Sequence, residues 1–285
     1  MRISKFLAVV AGLVFLVIYG LSCKPKKYIY KSPPHYNFSQ SLPIKLDLRL
    51  KEVSGIIWDN HKDEFIAHND EKGMVFYLDK NNGGILRDFE FSEEKGDYED
   101  IAMVKGDVFV LRSDGMLFRI VTDSTGKQKS FDLGKIELSG KNDFETLYYD
   151  PDKRALIMLC KNCSSDDKKV VSAYAYYPDS IGFVNKPIFT IDVAKVEQLS
   201  QRETSRFQPS AARIHPVLKK LFIISSASNQ LVIADTDGNV ESVFMLAKKL
   251  FPQPEGLTFK TNGEMFISNE ALSSKATVLK FNYIP

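Results

Sequence analysis

Three glutamates recur in this chain at one place in a repeated pattern, where they can act together. In "DYEDIAMV", residues 97 to 104, Glu99 and Asp100 precede an apolar run; "DFETLYYD" from Asp143 and "QPEGLTFK" from Gln253 set Glu145 and Glu255 at the same position. Carboxylates in a confined space do one of two kinds of chemistry. A pair whose environments differ can divide general acid and general base work. A group of them can hold a hard cation such as Ca²⁺, which takes roughly six to eight oxygen ligands. His68 and Asp70 in "AHNDE" offer a second constellation, a histidine that could act as a general base beside an acid. Cys160 and Cys163 in "LCKNC" form a third. A CxxC pair can be a redox site, half of a zinc site or a local disulfide. No second pair exists to complete a zinc site, and this pair ends an apolar run, so a disulfide or two free thiols remain. GxSxG, HExxH and phosphate-loop signatures are missing from the sequence, and with them the usual marks of common hydrolases, zincins and nucleotide enzymes.

The elements that must position these residues repeat. "EVSGIIWD" from Glu52 and "QPSAARIH" from Gln208 align with the three acidic segments, and the five third positions are Ser54, Glu99, Glu145, Ser210 and Glu255. Their spacings are 45, 46, 65 and 45 residues. A period of about 45 belongs to propeller blades. After each anchor come short runs rich in β-branched and aromatic residues, separated by turn residues such as "SDG" and "TDGN". Four strands per repeat make one blade. The fifth repeat lacks a fourth strand, and "PIKLDLRL", residues 43 to 50, supplies it, closing the ring. The expected fold is an all-β, five-bladed β-propeller of four-stranded antiparallel blades. A six-bladed ring is the alternative, its extra blade hidden in the 65-residue gap. The excess there is too short, and Val193, Val196 and Leu199 stand at helical spacing, so residues 192 to 207 read as a helical insertion.

In a propeller the first strand of each blade lines the central channel and the second returns to the same mouth. Ser54, Glu99, Glu145 and Glu255 therefore meet Asn69, Asp70, Asp114, Lys161, Asn269 and Glu270 at one opening. Strand alternation sends neighbours to opposite sides, which turns Glu99 to the axis and leaves Asp100 for a blade junction. Crowded carboxylates are pushed toward protonation unless something compensates. A bound Ca²⁺, the cations of Lys161 or Arg112, and backbone N–H groups are the available compensations.

The first 22 residues read as a signal peptide. Arg2 and Lys5 form a basic head, and Phe6 to Tyr19 an apolar run too short for an ordinary transmembrane helix. "GLSC" then resembles the lipobox of bacterial lipoproteins, with Cys23 as the lipidation site. Residues 23–42 read as a lipid-anchored tether and 43–285 as the propeller domain. Loss of Arg2 and Lys5 leaves 36 basic and 36 acidic residues. That balance lacks the basic excess of nucleic-acid binding.

"PSAARIHP", "KLFIISSASNQLVIADTDGNV", "PQPEGLTF" and "GEMFISNE", together with "DYEDIAM" and "DFETLYYDP", resemble the SdiA-regulated family of bacterial β-propellers over roughly residues 45 to 283. The resemblance implies an envelope-associated five-bladed propeller with a calcium site. Glu99, Glu145, Glu255 and Glu270 match its acidic places, while Ser54 and Lys161 depart from them. The expectation is a cell-envelope lipoprotein, on the periplasmic or extracytoplasmic side. It would be held to the membrane through Cys23, bind calcium at its pore mouth, present a face to a protein or small-molecule ligand, and perform no catalysis. The alternative is a metal-dependent hydrolase of esters, lactones or phosphates using the same ion, with His68 and Asp70 assisting.

Overall fold

The computed structural model describes residues 30–200, 207–272 and 274–285; the expected signal segment and Cys23 lie outside them. Strand β1 (Leu42–Lys45) leads into a 3₁₀ turn at Leu48–Leu50. Four complete blades follow. They are β2 (Val53–Asp59), β3 (Glu64–Asn69), β4 (Lys72–Leu78) and β5 (Ile85–Lys95); then β6 (Tyr98–Val104), β7 (Asp107–Arg112), β8 (Met116–Thr122) and β9 (Gln128–Lys135); then β10 (Phe144–Asp150), β11 (Ala155–Cys160), β12 (Val170–Tyr177) and β13 (Gly182–Asp192). After helix α1 (Val193–Ser200) come β14 (Ala211–Ile214), β15 (Leu221–Ser225), β16 (Gln230–Ala234) and β17 (Val240–Met245). The last blade is β18 (Pro254–Phe259), β19 (Met265–Asn269) and β20 (Thr277–Phe281), completed by β1. All neighbours in these sheets are antiparallel, and the five first strands pack side by side around a ring.

The five blades expected from the repeats are present, and the ring closes as expected. β1 pairs with β20 in the register Leu42↔Lys280 to Lys45↔Thr277. The closing strand is shorter than residues 43–50, because Asp47 ends it. The Asp47 carboxylate accepts from Arg49 N at 2.9 Å and starts the 3₁₀ turn. The 65-residue spacing holds a helix and not a blade: Asp192 caps α1 by accepting from Ala194 N at 2.8 Å. Val193 and Val196 are buried in the core between the third and fourth blades.

Inner strands are apolar on both faces because each blade is sandwiched between two others. β3 and β11 are buried at every residue, whereas the outermost β5 and β9 are mostly exposed. The core divides into five clusters, one at each blade interface. Trp58 illustrates one: it stacks on Phe266 of the last blade at 5.8 Å and meets Phe65 edge-on at 4.8 Å.

Part of the expected tether is packed. Tyr36 is buried against the fourth and fifth blades, and its hydroxyl donates to Gly263 O at 2.6 Å. His215 Nδ1 accepts from Val217 N and Leu218 N at 3.1 and 3.0 Å, so its Nε2–H faces the Tyr36 oxygen, 2.6 Å away. Phe38 lies 4.6 Å from Phe281 and 5.2 Å from Phe251, ring centre to ring centre. Aromatic residues in "HYNF" thus make this stretch part of the domain, and residues 31–285 form one compact unit.

Candidate functional site

Glu99, Glu145 and Glu255 each occupy a β-bulge. In β6 the register runs Tyr98↔Arg112, then Asp100↔Leu111; in β10 it runs Phe144↔Cys160, then Thr146↔Leu159; in β18 it runs Pro254↔Asn269, then Gly256↔Ser268. The skipped residue is the glutamate every time. A bulge re-aims the side chain of its extra residue, and here it aims three carboxylates at one mouth. Ser54 falls in the corresponding shift of β2. The serine positions stitch blades together: Ser54 Oγ donates to Glu99 O at 2.7 Å and Ser210 Oγ to Pro254 O at 2.9 Å.

Lys161, just beyond the end of β11, places its ammonium against the Glu145 carboxylate. The same charge opposes the rise in the pKa of Glu99 and of Glu255. Compensation by Lys161 is incomplete. Burial, and then the charges of Asp97, Asp143 and Glu255, hold the Glu99 carboxyl up to about 9. Burial and the charges of Glu255, Asp70 and Glu52 hold Glu270 up to about 8. Glu255 is raised by burial to about 7, although the hydroxyls of Ser226 and Ser210 hydrogen-bond to it. Asp70 is raised to about 6, again chiefly by burial, and its Oδ1 has no hydrogen-bond partner. Both polar atoms of the Asn269 side chain are buried without a partner as well. Arg112, the other candidate cation, is drawn away to Asp114 at 2.9 Å and Glu94 at 3.0 Å.

The four glutamates expected as metal ligands therefore belong to one electrostatic group, but they are not drawn into a cage. Among the described residues, the only three acidic, histidine or cysteine donors that approach within 4.8 Å of one another are those of Cys160, Cys163 and Asp166. There the sulfurs of Cys160 and Cys163 are joined as a disulfide, Cα to Cα 5.9 Å. This bridge spans Lys161 and Asn162 and so fixes the short loop that carries the mouth's cation.

Alternation does not separate Glu99 from Asp100. The bulge lets both turn inward, Glu99 at the mouth and Asp100 one level deeper. Asp100 does serve blade junctions, from inside the channel. It is fully buried, accepts from Leu147 N of the next blade and from Ile101 N, both at 2.7 Å, and receives the Arg213 guanidinium at 3.1 and 3.2 Å. Arg213 enters from β14 and also donates to the carbonyls of Ala212, Leu147 and Ile101, with Ile56 O at 3.5 Å. Four inner strands meet on one side chain, which plugs the channel. Burial still lifts Asp100 to about 6, against the pull of Arg213. Sequence reasoning missed this plug. The available signal was a lone arginine between Ala212 and Ile214 in an otherwise apolar first strand.

His68 is not paired with Asp70. Its ring is fully buried over Gly55, whose hydrogen leaves the needed space: a Cβ there would stand 2.6 Å from His68 Nε2 and 2.9 Å from Ile101 N. His68 Nδ1 lies 3.0 Å from Asn69 O, and Nε2 has no partner. Burial lowers its pKa to about 4, so the ring is neutral at physiological pH.

The propeller likeness extends to solved structures. The chain aligns with a glutaminyl cyclase of Myxococcus xanthus at TM-score 0.58 and 12% identity, over 86% of this chain and 96% of that one. It aligns with a PQQ-bound aldose sugar dehydrogenase of Streptomyces coelicolor at TM-score 0.51 and 11% identity, over 88% and 99%. Identities this low carry the fold and nothing about activity. No curated protein matches the chain. The profile of the SdiA-regulated family matches residues 37–272, every strand from β1 to β19, and the chain belongs to that family.

Proposed function

We propose that this protein is a cation-binding propeller of the bacterial cell envelope, held to a membrane by a lipid on Cys23, with Ca²⁺ at the acidic mouth. One observation carries the reading. Three β-bulges aim Glu99, Glu145 and Glu255 at one mouth where Asp70 Oδ1 and both polar atoms of Asn269 are buried without a partner, and burial with neighbouring acidic charges pushes the Glu99 and Glu270 carboxyls up. A mouth built this way gains by exchanging protons for a multivalent cation. The donor set suits calcium, a hard ion that takes carboxylate and amide oxygens. Glu99, Glu255, Glu270 and Asp70 offer carboxylates, and Asn269 offers an amide with no other partner. Glu145, held by Lys161, completes the set only if that ion pair yields. A calcium ion bound there would supply positive charge and fix the mouth as a surface for a ligand or a protein partner. No specific observation favours metal-dependent hydrolysis, since His68 is sealed in the channel wall and hydrogen-bonded away from Asp70.

Calorimetric titration with Ca²⁺, alongside thermal unfolding, tests the reading. The expected result is a saturable site and a rise in unfolding temperature with calcium, both lost in Glu99→Gln plus Glu255→Gln. Absence of heat and of any shift in the native protein overturns it.

A further inference from the structure

The channel has a second mouth, where the first strands end, and it opens into a cavity of about 630 Å³. All five blades contribute to its walls. Ile57 and Trp58 come from β2, Met103 from β6, Tyr149 from β10, Ile214 from β14 and Thr258 from β18. Met103, Tyr149 and Ile214 are only half-buried: each packs against a blade-interface cluster and leaves part of its surface open to this space. Arg213 forms the floor, with its guanidinium N–H groups turned inward to Asp100 and to main-chain carbonyls. The plug therefore cuts this chamber off from the acidic mouth.

We infer that this cavity is a binding site for a small, uncharged, mainly apolar molecule with an aromatic or alicyclic body and hydrogen-bonding groups at its edge. The volume lies within the usual range of small-molecule sites, as does the pattern of apolar walls with a few polar groups at the rim. The charges decide the class. At the rim the exposed Lys219 and the exposed Asp152 carry opposite charges, and among the described residues neither has an ion-pair partner. At the floor Arg213 is neutralised by Asp100. The charges of the lining residues together with Asp100 sum to zero, and Asn60, Thr236 and Thr261 offer neutral polar partners around the opening. The apolar walls supply most of the binding free energy, and the rim fixes orientation.

Trp58 is the only tryptophan of the chain and it lines the cavity, so location can be read directly. The probe is N-phenyl-1-naphthylamine, an uncharged aromatic amine that accepts energy from tryptophan, with its sulfonated anion as comparison. The full-length protein is expected to bind the neutral probe with a Kd of roughly 10 µM, with energy transfer from Trp58, and to bind the anion no more tightly. Met103→Trp fills the space and should weaken binding at least tenfold without moving the unfolding temperature. Ile214→Trp serves the same purpose should Met103→Trp fold poorly. Glu99→Gln, at the other mouth, should leave probe binding unchanged, which separates this site from the cation site. Binding without transfer from Trp58, tighter binding of the anion, or unchanged binding in a well-folded filled variant each overturns the inference.

Discussion

Raising the pH should destabilise this protein through its acidic mouth, and calcium should remove the effect. In the unfolded chain the carboxyls lose their protons near pH 4. In the folded mouth Glu99 keeps its proton to about 9, Glu270 to about 8 and Glu255 to about 7. A carboxyl with a raised folded pKa makes the folded state bind more protons than the unfolded one, so stability falls as pH rises from the unfolded pKa to the folded one. The buried histidines run the other way. His68 and His215 have folded pKa values of about 4, and the stability they withhold at acid pH is fully restored above about 6.5. Above pH 7 the histidines are silent and the carboxyls remain. One proton retained on Glu99 gives a slope of about 1.4 kcal/mol per pH unit. Glu270 is nearer solvent and adds a fraction of that. Between pH 7 and 8.5 the loss should be about 2 kcal/mol. Urea unfolding at several pH values, with and without calcium, measures it. Stability should decline from pH 7 to 8.5, where the histidines no longer titrate, and saturating calcium should flatten the decline. Glu99→Gln, which mimics the protonated acid, should remove most of the slope and stabilise the protein at pH 8. A flat or rising profile between pH 7 and 8.5 without cation would refute the reasoning, because it would mean that the mouth holds no excess protons.

Three further outcomes follow from the same contacts. Arg213→Met strands the Asp100 carboxylate in the channel and should cost about 3–5 kcal/mol in urea unfolding, most of it recovered when Asp100→Asn is added. Lys161→Gln removes a competing cation from the ring of Glu99, Glu145 and Glu255. It should tighten calcium binding by about tenfold in calorimetric titration, since one like charge nearby is worth at least about 1.4 kcal/mol at an effective dielectric of about 20. Tyr36→Phe leaves Gly263 O and the His215 N–H without their partner and should cost about 2 kcal/mol in unfolding, while leaving calcium affinity unchanged.

Periodic features were legible in the sequence because propeller blades repeat their turn chemistry and their buried runs. Five anchors gave five blades, the alternation of Ile44 and Leu46 marked the closing strand, and the spacing of Val193 and Val196 marked the inserted helix. The acidic mouth was legible for the same reason, since Glu99, Glu145 and Glu255 share one register. What escaped was non-periodic. Strand alternation assumes an unbroken ladder, and a single bulged residue at Glu99 cancels it locally, which is why Asp100 turned out to lie inside the channel. The Arg213 plug joins residues 113 apart in sequence and has no counterpart in the other blades. Tyr36 and His215 are 179 apart, and nothing local marks either as the other's partner.

These exceptions have a common logic. A ring of identical blades would place identical side chains around its axis, and five carboxylates there would repel without relief. This chain breaks the symmetry in two ways. Blades one and four give up the acid for Ser54 and Ser210, whose hydroxyls bind the next blade's main chain instead. One blade, the third, supplies Lys161 opposite its own Glu145. Repulsion at the mouth is thereby reduced but not abolished, and the remainder is confined to one end by the Arg213–Asp100 pair. The two ends of the channel are left with opposite characters: an acidic mouth that gains from a cation and an apolar chamber with no net charge. A single chain can then hold two chemically unlike ligands on one axis, and the ion pair that separates them also joins the inner strands of four blades.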